Sequence, residues 1–198
     1  MIGFRSIWSL LVLVSSTQSM LLGARQAQQS PTAACALLRA RTGDATVFST
    51  DGDAYTKLRK AHWYATSDFM IQSWPSSPLT RSQTAWKDPA CIVSPKCTEE
   101  VVEAMEILRS TNTTFAIRSG GHSPLSGWAD IDNSVLIAMR SLADKVYDEA
   151  TQTVRVGFGS TWDEVYKLLE GHGRGAVGGR EATVGMGFIL GGMFDSHP

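Results

Sequence analysis

The residue types and spacing in this chain that could do chemistry are concentrated in Arg118-Ser119-Gly120-Gly121-His122-Ser123, which follows the apolar run Phe115-Ala116-Ile117. Two successive glycines let neighbouring backbone N–H groups converge with no Cβ in the way, which makes a small concave site for an anion. Arg118 could add a fixed positive charge beside it. A histidine placed after such a nest could be a phosphate neighbour, a proton carrier, a metal ligand or a nucleophile. The same residues also suit a tight turn with an exposed histidine.

A second glycine-rich stretch covers residues 176–192, with Gly178-Gly179, Gly185-Met186-Gly187 and Gly191-Gly192. It could admit another close approach of backbone to a dinucleotide. A nicotinamide-type fingerprint is not matched, because Gly-Met-Gly-Phe-Ile-Leu lacks the third glycine and no strong strand precedes it at the usual spacing.

The elements that must position these residues follow from hydrophobic period and end signals. Residues 33–41 form a short helical pattern ending near Gly43, residues 46–48 suit a strand, and residues 54–62 suit another short helix. Residues 90–93 are a buried strand ending at Pro95. Thr98 is the expected N-cap of a helix over 98–109, with Glu99 and Glu100 where the helix dipole favours negative charge. Val101, Met105 and Leu108 share one face and are expected in the core. A polar turn leads to the strand 115–118, so strand, helix and strand form a βαβ unit that delivers the glycine turn at its C-terminal end. Residues 135–139 are the next strand, and 145–147 with 153–156 form a hairpin around 149–152. Thr161 and Glu164 make a capping box for a helix that buries Val165, Leu168 and Leu169 and stops at Gly171.

Composition excludes some functions. The formal net charge of −1, with no basic block, argues against a nucleic-acid partner, and 43% hydrophobic residues fit a globular protein. Arg5 followed by the apolar residues 7–14 and small residues reads as a secretory signal over 1–24, too short for a membrane span. Asn112-Thr113-Thr114 is a glycosylation sequon expected in a surface turn. Cys35, Cys91 and Cys97 permit three single pairings, and none has metal-ligand spacing, so no metal site is expected.

Taken together, Arg118–Ser123, Ser134–Ile137, Val154–Gly157, Trp162–Tyr166 and the Val177–Gly192 glycines resemble the FAD-binding, PCMH-type domain of the vanillyl-alcohol-oxidase/berberine-bridge-enzyme superfamily. The resemblance runs from about Pro89 to Gly192. It implies an α+β fold, a bound FAD, and a covalent bond from His122 to the flavin's 8α-methyl carbon. Arg118, Ser119, Gly120, Gly121, Ser123, Gly179, Gly185, Gly187, Gly191 and Gly192 are the implied cofactor-binding residues. Some relatives use a second, cysteine tether; Arg180, Glu181 and Ala182 stand at the matching positions, so a single covalent link is expected.

The implied activity is oxidation of a small natural-product-like substrate, with oxygen as acceptor. The rival is a truncated, non-catalytic relic or binding module, since the family continues beyond the double glycine. The resemblance also favours a Cys35–Cys91 disulfide. With the signal at 1–24, the chain is divided into a helical segment at 25–85 with an insertion at 64–83 and a flavin domain at 86–198. His62, His172 and His197 match nothing catalytic, Asp130 and Asp132 suit loop roles, and Trp128 is either near the flavin ring or simply an exposed loop residue.

Overall fold

Val135-Leu136-Ile137-Ala138 is apolar at every position, and such a strand is stable only where both of its faces are covered. The computed structural model, which describes residues 30–44, 46–61, 87–123 and 125–191, puts it in the interior of a four-stranded sheet. The sheet comprises β1 (Val47–Ser49), β2 (Cys91–Val93), β3 (Phe115–Arg118) and β4 (Val135–Ala138), in the order β1-β2-β4-β3. The strands β2, β4 and β3 are parallel, and β1 pairs antiparallel with β2. The expected βαβ unit is therefore split: β4 lies between β2 and β3, because four consecutive buried apolar residues fit an inner strand better than the alternating β3 does.

Helices cover both faces. The helix α1 (Pro31–Thr42) starts at Ser30, whose hydroxyl accepts the Ala33 N–H at 3.3 Å, and α2 (Asp53–Arg59) follows β1. Leu38 of α1 packs with Ala104 and Leu108 of α3 (Thr98–Ser110) against Val93, Val135 and Ile137. Tyr55 of α2 packs on the opposite face with Ile92, Leu136 and Ala138, and its hydroxyl donates to the Pro89 carbonyl at 2.7 Å. A disulfide joins the buried Cys35 of α1 to Cys91 of β2, and Cys97 is free.

Two details of α3 correct the expectation. Cys97, not Thr98, is the N-cap, and Glu100 closes the approach by accepting the Lys96 N–H at 2.7 Å. Met105 is turned outward and 36% exposed; the inward stripe is Ala104 and Leu108, flanked by Val101 and Ile107. The small Ala104 sits in the cluster that contains Cys35 and Leu38, where a longer side chain would hold α1 and α3 apart.

A second, two-stranded sheet pairs β5 (Lys145–Asp148) with β6 (Thr153–Val156) around the expected turn, where Gln152 has a positive φ. The helix α4 (Trp162–Glu170) buries Trp162, Val165 and Leu169 against Tyr147, Val154 and Val156. His172 lies over the Tyr147 ring, with centroids 4.7 Å apart. The residues 1–24, the segment 64–83, His62 and His197 lie outside the described residues. Among the described residues, no helix is long and apolar enough to cross a membrane.

The capping box is formed: the Glu164 carboxylate accepts the Thr161 N–H at 3.1 Å. Glu164 also receives Arg140 and, at 3.4 Å, Lys145. Chiefly through the hydrogen bond from Arg140, its pKa falls to about 2. A carboxyl whose folded pKa is depressed stabilises the fold above its unfolded pKa and loses that contribution as pH falls towards the folded value. Stability is therefore expected to decline from about pH 5 to about pH 2, and Glu164→Gln should flatten that part of the profile. Thermal unfolding across this pH range checks it; parallel wild-type and variant profiles would refute it.

Candidate functional site

The parallel run of β2, β4 and β3 brings their C-terminal ends to one edge of the sheet, and β3 releases Ser119-Gly120-Gly121-His122 there. A second segment meets this turn. Thr161 and Gly185 form an antiparallel bridge, the Trp162 N–H donates to the Val184 carbonyl at 3.0 Å, and the Met186 N–H donates to the Ser160 carbonyl at 3.0 Å. These bonds lay residues 184–187 beside the start of α4 and press them against the glycine turn.

The contact between the two segments is backbone to backbone. A Cβ on Gly120 would lie 2.5 Å from the Gly185 nitrogen, and one on Gly185 would lie 2.2 Å from the Gly120 nitrogen. No side chain fits at either position. Gly121 has φ +68°, the left-handed region that a glycine enters without strain. Ser119 ties the crossing together: its hydroxyl donates to the Phe158 carbonyl at 2.6 Å and accepts the Gly187 N–H at 3.3 Å.

The result is a cleft of about 550 Å³. Ser119, Gly120, Gly121, His122 and Ser123 form one wall, Gly185 and Gly187 belong to the other, and Ile117, Trp128, Phe158 and Val184 supply apolar surface. Seven of the sequence-predicted residues thus share one cavity. His122 and Ser123 are half-buried in it.

Other expected residues stand elsewhere. Arg118 was expected to put positive charge beside the glycine turn, but its guanidinium is buried beneath it, 3.7 Å from Asp130 and donating to the Leu58 carbonyl. Asp130 keeps Arg118 charged against the desolvation that lowers its pKa. The carboxylate of Asp130 also accepts the Ile131 N–H at 3.0 Å and the Lys87 N–H at 3.3 Å, while Asp132 pairs with Lys87 at 2.9 Å, so the two aspartates hold the loop.

Gly179 is not at the cleft but under Trp162, whose indole would be 2.6 Å from a Cβ there. Gly191 ends the 3-10 helix Met186–Gly191, and Gly192 lies outside the described residues. Asn112 is exposed in a left-handed turn after α3 and does not line the cleft.

Sequence reasoning missed Phe158. Its signal was present in Gly157-Phe158-Gly159, which repeats the glycine–apolar–glycine form of Gly185-Met186-Gly187. Gly159 is wedged against the Met139 carbonyl, 1.9 Å from the place of a Cβ, and this fixes Phe158 at the cleft wall.

No lysine or arginine lines the cleft among the described residues. An anionic ligand there would meet only uncharged donors, while extended ring systems would meet Ile117, Trp128 and Phe158. Such a donor set fits a long, amphipathic dinucleotide better than a small charged metabolite.

The comparisons with known proteins agree with this geometry. The chain is 40% identical over 159 residues to the bifunctional solanapyrone synthase of Alternaria solani, covering 80% of this chain and 27% of that protein. It is 42% identical over 113 residues to the FAD-dependent monooxygenase prx3 of Penicillium roqueforti, covering 56% of this chain and 22% of that one. Its fold superposes on the xylooligosaccharide oxidase of Myceliophthora thermophila with a TM-score of 0.61 and 18% identity, covering 79% of this chain and 29% of that chain. The chain therefore spans about a quarter of the length of the curated relatives it matches. Residues 89–194 match the family model described as an FAD binding domain, a span that contains both glycine walls of the cleft. On that match the chain belongs to the FAD binding domain family.

Proposed function

We propose that this chain supplies the cofactor site of an FAD-dependent oxidoreductase that oxidises a small natural-product-like substrate, with oxygen as the acceptor. The single observation that carries this is the closure of Gly120 on Gly185, which builds a cleft with His122 in its wall. FAD supplies a two-electron acceptor when bound there. Backbone N–H groups of the 119–123 turn would hold its pyrophosphate, and Ser119 ties the two walls together. Ile117, Trp128 and Phe158 exclude water from the apolar part of the cleft.

His122 would hold the cofactor through a bond from an imidazole nitrogen to the 8α carbon. Such a bond would replace the imidazole N–H and one C–H of the methyl group, the two protons and two electrons released passing to oxygen. The Arg-Ser-Gly-Gly-His pattern and the place of His122 in the cleft wall support this assignment. The absence of cysteine at 180–182 supports a single link.

Passage through the secretory route is part of the same proposal. The Cys35–Cys91 disulfide and the exposed Asn112 of the sequon are the features that favour it.

The test of the tether is direct. After acid precipitation and denaturing electrophoresis, flavin fluorescence is expected to stay with the wild-type polypeptide and to be lost from His122→Ala. Retention in the variant would remove His122 from this role.

A further inference from the structure

Trp128 is 71% exposed, yet it does not stand on a convex surface: it lines the cleft together with His122 and Ile117. Scattered exposed apolar side chains on a protein surface need no explanation. This one differs in how firmly the chain holds it. Gly127, at φ +81°, turns the backbone immediately before it, and the Trp128 N–H donates to the Leu125 carbonyl at 3.4 Å. Two residues later Asp130 is 1% exposed and carries the buried ion pair with Arg118, the residue from which the glycine turn departs. One buried pair thus fixes the root of the His122 turn and the root of the Trp128 loop together. A large, flat side chain with few rotatable bonds is presented to a cavity at little cost in conformational entropy.

We infer that Trp128 is a stacking platform for the isoalloxazine ring of the flavin. The inference rests on the proposed flavin role of the cleft. Isoalloxazine is the ring chosen, and not adenine, because Trp128 and His122 line the same cavity and His122 is the residue assigned to the flavin's dimethylbenzene edge. A tryptophan stacked on a flavin quenches its emission by electron transfer; a phenylalanine stacks but does not donate an electron as readily.

The experiment titrates the full chain, carrying His122→Ala throughout so that no flavin is covalently held, with FAD, FMN and ADP. Flavin emission and tryptophan emission are followed for the parent with Trp128 intact (the wild-type reference), Trp128→Phe and Trp128→Ala. Because Trp128 is mostly exposed, both variants are expected to unfold at the wild-type temperature. Trp128→Ala should weaken FAD and FMN by about 10- to 100-fold, the usual range for a lost aromatic stack, and leave ADP unchanged. Trp128→Phe should keep the affinity within a few-fold and make the bound flavin brighter. Wild-type affinity and emission in Trp128→Ala would overturn the assignment, as would a loss confined to ADP, which would place adenine on the indole. Failure of wild type itself to bind FAD or FMN would overturn the flavin role of the cleft, and this inference with it.

Discussion

Gly185→Ala is expected to cost the protein its flavin. The added methyl carbon would lie 2.2 Å from the Gly120 nitrogen, 2.7 Å from its Cα and 2.5 Å from the Ser119 hydroxyl. Two of these three neighbours are main chain, so no side-chain rotation relieves the clash, and the walls of the cleft must part. Overpacking of this kind typically costs about 1–3 kcal/mol. Here the strain falls on the joint that sets the width of the site, and Ser119 must release the Gly187 N–H or the Phe158 carbonyl to accommodate it. Flavin affinity is expected to drop by about 100-fold, the larger end of what such strain can produce. Visible absorbance per polypeptide measures it, together with a binding titration in the His122→Ala background, where the flavin is held reversibly. The matched control is Gly175→Ala, where a Cβ would have no atom within 4 Å and no effect on flavin content is expected. A Gly185→Ala protein as yellow as wild type would show that the glycine crossing does not set the site.

The second large effect concerns stability. Cys35 and Cys91 are 56 residues apart in sequence, and a cross-link over such a loop removes about 4 kcal/mol worth of freedom from the unfolded chain in the loop-entropy model. Both sulfurs are buried between α1 and β2, so their separation also loosens the packing of Leu38 against Val93. Cys35→Ser with Cys91→Ser is expected to lower the midpoint of thermal unfolding by about 10 °C. Calorimetry with and without a reductant able to reach the buried pair tests it. A shift under about 2 °C would mean that packing alone holds α1 on the sheet. Alkylation of the non-reduced protein should label Cys97 and neither of the other two.

Features governed by local chemistry were legible in the sequence. The Thr161–Glu164 box, the 145–156 hairpin and the buried strands at 91–93 and 135–138 all follow from end signals and period. So does the arrival of His122 at a strand's C-terminal end. Features governed by partners at long range were not. Period predicts that residues 135–138 are buried but not that they insert between β2 and β3, because pairing order depends on which strand can spare a covered face. Gly179 looked like part of a phosphate cradle, and only the placement of Trp162 shows that it makes room for an indole.

Arg118 is an intermediate case. Strand alternation already placed it on the side of Ala116 and opposite Ile117, so its inward course could have been read from the period of two. Its position next to the glycine pair drew attention to the turn instead. Met105 failed for the reverse reason: helical period marked it as apolar-facing, but α3 turns the narrower Ala104–Leu108 stripe to the core.

The burial of Arg118 against Asp130 also bears on how the cleft chooses its ligand. A guanidinium at the cleft mouth would draw in any phosphate-bearing solute, because charge–charge attraction reaches about a Debye length into solution. Here that charge is cancelled inside the protein, 3.7 Å from a carboxylate, and the cleft offers an anion backbone dipoles, whose attraction fades much faster with distance. Inorganic phosphate is therefore expected to be held weakly there, which a phosphate titration checks. A ligand would gain there by filling the cleft along its length, so selection would rest on shape, and its affinity is expected to change little with added salt.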